Sequence, residues 1–336
     1  MMQVSHFQRA WLRGALVAGG AFVPPLSVGG QTMDPVMSSL VRFANKSRGE
    51  GPINLPAMRK RYAMAPAITG LRPERSVRVT TLDAGGRPAR RYQPTGETVA
   101  NLLYFHGGGF IMGSLDTHDR ICQRLAARAK LCVTSVDYRL APEHPFPAAY
   151  DDAVNAWAWA RETSPGPWVI GGDSAGANLA AALARDGSAR MQVLLYPAVD
   201  MVYQDGLYPS LMQFFEGFLL TAEGMRECLR LLIPDGQDPA DPRLSPIRAD
   251  LSRASPALIV AAGFDPLRDQ GRAYAMALDK AGARSHLLEE RSLPHGFADF
   301  AGVVPAARRA VDRIADAIMS EFGRSDLVKK GRASQR

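Results

Sequence analysis

Cysteine is scarce, and its arrangement is uninformative as a framework. The 336 residues contain three, Cys122, Cys132 and Cys228. An odd number with no C-x-x-C spacing argues against a disulfide scaffold or a thiolate zinc site, and all three read as buried or half-buried thiols. Long apolar runs are missing as well. The nearest approach, Ala15 to Leu26, is interrupted by Gly19-Gly20 and Pro24-Pro25. It falls short of the roughly 20 apolar residues that a membrane span needs, so stable membrane insertion is not expected. Arg9 and Arg13 precede this run, and no A-x-A site follows it. It reads as a weak secretory leader, as an interfacial or packing extension, or as a disordered leader. A cytoplasmic location is expected if it is not a leader, and secretion if it is.

There is also no internal repeat, no low-complexity block and no basic stripe through the middle of the chain. The net charge is +7, which invites a nucleic-acid reading. Residues 1–80, however, carry 11 Lys/Arg against 3 Asp/Glu, and residues 324–336 carry 5 against 1, leaving 81–323 at about −5. The basic excess belongs to the ends, so no nucleic-acid partner is expected. With 46% hydrophobic and 22% charged residues, the chain has the composition of one large α/β domain or two smaller ones.

Beyond the apolar run Ala15 to Leu26, a helix-like pattern covers Asp34 to Arg48 and a second covers Leu55 to Ala65. Val77–Leu82, the turn Ala84-Gly85-Gly86-Arg87 and Ala89–Tyr92 predict an antiparallel pair. Strands are predicted at Ala100–Phe105, Leu131–Val136, Trp168–Ile170, Met191–Tyr196, Ala257–Ala262 and Ser285–Glu289. Helices are predicted at His118–Lys130, Pro147–Glu162, Ala175–Arg185, Gln270–Ala281 and Ala306–Phe322. This alternation implies a mainly parallel sheet covered on both faces, with functional residues at the carboxyl ends of strands. About sixty residues between Pro197 and Ala257 break the rhythm. Helix-like pieces at Pro209–Phe218 and Thr221–Leu232 make this stretch an inserted helical cap rather than a loop.

Gly172-Asp173-Ser174-Ala175-Gly176 is a G-x-S-x-G sequence with an apolar strand before it and an Ala-rich helix after it. That context turns a Gly/Ser turn into a nucleophile elbow, with Ser174 Oγ held above the sheet at a helix N-terminus. His106-Gly107-Gly108-Gly109 ends another strand. Consecutive glycines there let backbone N–H groups approach a ligand, as in an HGGG oxyanion hole, and the expected donors are Gly107, Gly108 and Ala175. The rival phosphate loop lacks G-x-G-x-x-G or G-K-[ST] spacing.

A serine nucleophile needs a base and an orienting carboxylate. Of six histidines, His295 in Pro294-His295-Gly296-Phe297 sits directly after the last strand. His286 lies within that strand, while His106 is expected to shape its glycine loop, and His118 and His144 to be structural. Asp265 follows the strand Ala257–Ala262, and Asp269 falls in a first helical turn where it complements the dipole. The order Ser174, Asp265, His295 is that of an α/β-hydrolase.

With these residues the sequence resembles the hormone-sensitive-lipase-like carboxylesterases, bacterial esterase family IV. The resemblance runs from about Met33 to Phe322. It rests on His106-Gly107-Gly108-Gly109-Phe110, Asp137-Tyr138-Arg139-Leu140-Ala141-Pro142-Glu143, Gly172-Asp173-Ser174-Ala175-Gly176, Asp265-Pro266-Leu267-Arg268-Asp269 and His295-Gly296-Phe297. Ala177 stands where a second glycine is common, and Gln270 where glutamate often is. The resemblance implies an α/β-hydrolase fold with an eight-stranded, mostly parallel sheet, helices on both faces and a helical cap. It also implies no cofactor or metal, and hydrolysis of short- to medium-chain acyl esters as small-molecule substrates. A homodimer through the edge strand 285–289 is a further expectation from it.

The corresponding division is an extension at 1–30, an N-terminal part of the cap at 31–70, a core at 71–200 and 247–323, an inserted cap segment at 201–246, and a basic tail at 324–336. Phe110, Met112, Phe214, Phe215, Phe218 and Leu219 are candidates for the substrate pocket. Asp137 and Arg139 are expected to form an ion pair near the glycine loop. Deacetylase, amidase and lactonase chemistry use the same triad. A ligand-binding plant hormone receptor shares the fold but lacks the catalytic histidine.

Overall fold

The computed structural model describes residues 24–46, 53–203 and 206–333. Arg9, Arg13, most of the apolar run Ala15–Leu26, the end of the helix expected to reach Arg48, and residues 334–336 of the basic tail lie outside them.

A small hairpin comes first among the described residues, with β1 Ser27–Val28 paired to β2 Gln31–Thr32. Two glycines at positive φ, Gly29 and Gly30, make its turn, as a tight hairpin between right-twisted strands requires. The main sheet contains β3 Val77–Asp83, β4 Pro88–Pro94, β5 Ala100–Phe105, β6 Leu131–Val136, β7 Trp168–Asp173, β8 Met191–Leu195, β9 Ala257–Phe264 and β10 Ser285–Pro294. Their spatial order is β10-β9-β8-β7-β5-β6-β4-β3. Pairings from β6 through β5, β7, β8 and β9 to β10 are parallel, and β3 and β4 add an antiparallel edge.

The side-chain period of two places alternate strand residues in two separate cores. Leu103 and Phe105 of β5 and Ile170 of β7 face one core, covered by the helices Ala148–Thr163, Ala175–Ala184 and Arg268–Lys280. Leu102 and Tyr104 of β5 and Val169 of β7 face the other, covered by Asp119–Ala129 and Pro305–Ala333. Each fully buried Leu, Ile or Phe contributes about 1.5–3 kcal/mol, so the central strands are held from both sides.

The inserted segment differs from expectation in one element. The helix predicted over Pro209–Phe218 ends at Gln213. Gly217 adopts φ 83°, and Phe214 turns inward, fully buried, which a continued helix would prevent. The second piece forms as Ala222–Leu232, with the Thr221 hydroxyl accepting from Gly224 N at 3.2 Å. Likewise, Asn54 caps the helix Leu55–Thr69 by accepting from Ala57 N at 3.0 Å. Arg59 fastens that helix to the glycine loop. Its guanidinium donates to Ile111 O at 2.6 Å and Ala141 O at 2.8 Å and pairs with Glu143 at 2.7 Å.

The expected Asp137–Arg139 pair does not form. Arg139 instead makes a bidentate pair with buried Asp152, at 2.7 Å for its shortest contact. Arg87 Nε also lies 3.3 Å from Asp152, so two guanidinium groups satisfy this buried carboxylate. Among the described residues no helix is long and apolar enough to cross a membrane.

Candidate active site

β7 runs three residues past its expected end and delivers Asp173 directly to the turn. There Ser174 adopts φ 52° and ψ −116°, a conformation that L-residues avoid. Glycines on both sides make it possible. A Cβ at Gly172 or Gly176 would run into the carbonyl oxygen of Phe105 on the neighbouring strand. Ser174 N donates to Leu195 O of β8 at 2.9 Å, which fixes the bend.

Three sequence-predicted residues converge at this turn from three strand ends. Asp265 follows β9 immediately and is fully buried. One of its carboxylate oxygens accepts from Leu267 N at 2.8 Å, and the other meets His295 Nδ1 at 2.8 Å. His295 follows β10, with its ring edge-on to Tyr196 at 4.9 Å, and its Nε2 lies 2.9 Å from Ser174 Oγ. A nucleophile, an imidazole and a buried carboxylate thus form one continuous hydrogen-bonded line.

The glycine loop departs from expectation at one position. Gly107 N donates to Asp173 Oδ1 at 2.9 Å, so this N–H is turned away from the cavity and already committed to a carboxylate. Gly108 and Gly109, at φ 125° and 62°, line the cavity instead. A Cβ at Gly108 would strike the Met112 carbonyl, and one at Gly109 would meet Cys228 Sγ at 2.5 Å. Ala175 occupies the first position of its helix, where N–H groups have no helical partner.

Asp173 also accepts from the Tyr104 hydroxyl at 2.8 Å and faces His118 Nε2 at 3.1 Å. Both partners are buried. Burial opposes charge on each, but their mutual attraction outweighs it, holding Asp173 below the usual carboxylate value and His118 above the usual imidazole value. His118, read from sequence as a structural helix-start residue, therefore anchors the aspartate that holds the glycine loop. Its position in the chain gives no sign of this, because its partner lies 55 residues away. His106 does shape its loop, through Nδ1 to Gly107 O at 2.8 Å, and it stacks on Tyr138 at 4.3 Å. Burial drives its imidazole down to about 3, leaving it neutral.

Over Ser174 lies a cavity of about 300 Å³. Of the proposed pocket residues, Phe110, Met112 and Leu219 line it. Phe214, Phe215 and Phe218 do not. Phe214 and Phe218 pack on each other and on Phe264 at 5.4–5.8 Å in the sheet core, and Phe215 is 47% exposed. Tyr62 from the N-terminal helices and Met225 and Cys228 from the insertion were not foreseen, yet they help to wall the cavity, as does Asp299, four residues beyond His295. Burial raises the Cys228 thiol to about 12. Among the described residues no group of three or more His, Cys, Asp or Glu side chains is placed to hold a metal ion.

Comparison with known proteins agrees with this geometry. A family profile described as alpha/beta hydrolase fold matches residues 102–299. The carboxylic ester hydrolase LipN of Mycobacterium tuberculosis (strain ATCC 25618 / H37Rv) is 42% identical over 298 residues, covering 80% of this chain and 78% of that protein. Ethyl acetate hydrolase of Pseudomonas putida is 35% identical over 262 residues, covering 73% of this chain and 81% of its own length. A hyperthermophilic esterase from the archaeon Pyrobaculum calidifontis superposes with a TM-score of 0.78 at 35% identity, covering 86% of this chain and 98% of that structure. The chain belongs to the hormone-sensitive-lipase-like carboxylesterases of the alpha/beta hydrolase fold.

Proposed function

We propose that this chain is a serine carboxylesterase that cleaves short- to medium-chain acyl esters through an acyl-enzyme on Ser174. The observation that carries the reading is the unbroken line from Asp265 through His295 to Ser174 Oγ, with contacts of 2.8 and 2.9 Å. It ends in a cavity that Gly108, Gly109 and Ala175 border.

As Ser174 Oγ bonds to the ester carbonyl carbon, its proton passes to His295 Nε2 and the carbonyl π pair moves onto oxygen. The N–H groups of Gly108, Gly109 and Ala175 receive that oxyanion, replacing Gly107 in the donor set, because Gly107 N–H is held by Asp173. Asp265 keeps the proton of Nδ1 in place and stabilises the imidazolium. Collapse of the intermediate breaks the bond to the alcohol oxygen, which takes the proton from Nε2. Water then repeats the sequence, giving a proton to His295 as it attacks the acyl carbon, and Ser174 leaves with that proton. The cap residues that close the cavity come from two separated segments, around Tyr62 and around Met225.

The test is Ser174→Ala against wild type on a panel of aryl esters of increasing acyl length, with a fluorophosphonate as covalent label. Turnover is expected to fall by about 10⁴-fold or more, and the label should be carried by wild-type Ser174 only. Undiminished hydrolysis in the variant would refute the assignment.

A further inference from the structure

Most of the cavity wall over Ser174 is apolar, formed by side chains such as Met112, Met201 and Leu219. One flank is different. Asp299 lies in the 3-10 turn Phe297–Phe300 that follows His295, and this residue lines the cavity. The Tyr62 hydroxyl donates to Asp299 Oδ2 at 3.1 Å. Among the described residues no other group donates to this carboxylate, and the residue is half-buried in the cavity wall.

The triad makes no use of this group, since Asp265 already orients His295. A half-satisfied carboxylate on an apolar wall is costly to keep charged. Accordingly, burial is the largest influence on it, and with nearby Asp173 it lifts Asp299 to about 6 against the pull of His118, Tyr62 and His295. A donor from a bound molecule would complete its coordination. Position selects which half of the ester supplies that donor. The leaving alcohol must reach His295 Nε2 to be protonated, so its chain runs along the wall that carries His295 and, four residues on, Asp299.

We propose that Asp299 and Tyr62 form a polar subsite for the alcohol portion of the substrate, selecting esters whose alcohol carries a hydrogen-bond donor, a hydroxyl or an ammonium group, over hydrocarbon esters of the same length. This rests on the ester-hydrolase reading above.

The experiment compares kcat/KM for acetates of equal chain length whose alcohol ends in methyl, hydroxyl or ammonium, in wild type and Asp299→Leu. Active sites are counted with a fluorophosphonate. Wild type should prefer the donor-bearing esters, and Asp299→Leu should lower the donor-to-methyl ratio by about tenfold or more, the usual loss when a hydrogen bond to a charged group is removed. If Asp299→Leu does not fold, the isosteric Asp299→Asn should lower the ammonium-to-methyl ratio in the same way. The hydroxyl and ammonium arms identify which donor the subsite takes, and a preference for either one supports it. An equal ratio in wild type and variant overturns the proposal, because a purely structural Tyr62–Asp299 latch would affect all three esters alike. Wild type that hydrolyses the methyl ester without donor preference refutes this subsite alone. Wild type that hydrolyses none of them and takes no label removes the ester-hydrolase reading as well.

Discussion

Ser174 holds its φ of 52° against a cost of order 1–3 kcal/mol for a strained non-glycine conformation. The neighbouring glycines decide whether that conformation is reachable. At Gly176 an added Cβ would lie against the Phe105 and His106 backbone, and neither strand β5 nor the helix after Ser174 has room to retreat. Gly176→Ala is therefore expected to destabilise the protein by about 3 kcal/mol or more, read as a lowered urea midpoint, with esterase activity lost along with the fold. Asp173 is demanding in a different way. It satisfies Gly107 N, Tyr104 OH and His118 at once, so Asp173→Asn removes the carboxylate that these three buried groups share. Breaking one side of a buried pair costs about 3–5 kcal/mol. The variant should also lower kcat more than it raises KM, because the glycine loop loses the group that orients it. An unchanged denaturation midpoint and kcat would show that Asp173 has no such anchoring role.

At the scale of elements, the strands set the site and the inserted segment shapes its roof. Strand positions were legible because β5, β7, β8 and β9 are mostly apolar runs bounded by turns, and the motifs lie at carboxyl ends of strands. Boundaries shifted where pairing carried a strand onward, by three residues at Gly171 to Asp173, by two at Gly263-Phe264 and by five at the end of β10. The roof was less legible. Phe214, Phe215, Phe218 and Leu219 form an apolar cluster in sequence, but only the three-dimensional path of Phe214 onto Phe264 separates core residues from cavity residues. The Gly107 assignment failed for a related reason. Three adjacent glycines look equivalent until a carboxylate from another strand takes the first N–H. Gln270 shows the opposite case. Its amide oxygen accepts from Val199 N and Asp200 N at 3.0 and 3.1 Å, and its amide nitrogen donates to Asp200 O at 3.0 Å. An ionised glutamate could not make that last bond, so the departure from the family pattern has a local reason. The roof assignment is testable by truncation. Phe214→Ala should cost about 3–5 kcal/mol, Phe215→Ala less than about 0.5 kcal/mol, and neither should change the acyl-length profile. Met112→Ala should shift that profile toward longer chains. A changed profile in Phe215→Ala, with none in Met112→Ala, would reverse the assignment.

Over the whole molecule, the groups buried around the site act in opposite directions on acid stability. His106 is held neutral by burial, down to about 3. Below its ordinary value of about 6.5 the unfolded chain takes up a proton that the folded chain refuses, and stability falls as pH falls. Asp173, held below the usual carboxylate value, loses its contribution only in stronger acid, as pH falls through its folded value. Asp299, raised to about 6, works the other way. Between about pH 6 and 4 the folded chain holds a proton there that the unfolded carboxyl, near 3.9, does not, so acid favours the folded state over that interval. Each unmatched proton changes stability by about 1.4 kcal/mol per pH unit. The contributions of His106 and Asp299 therefore nearly cancel from about pH 6 to 4. Below about 4 both Asp173 and the surface carboxylates held low by arginines, such as Asp241 and Glu289, add to the loss. Urea midpoints of the wild type are expected to change little between pH 6 and about 4.5, and then to drop steeply below 4. In Asp299→Asn the compensating proton is gone, so the midpoint should decline throughout that interval. Parallel profiles for the two proteins would mean that Asp299 takes up no proton on folding, and that the acid response belongs to His106, Asp173 and the arginine-paired carboxylates.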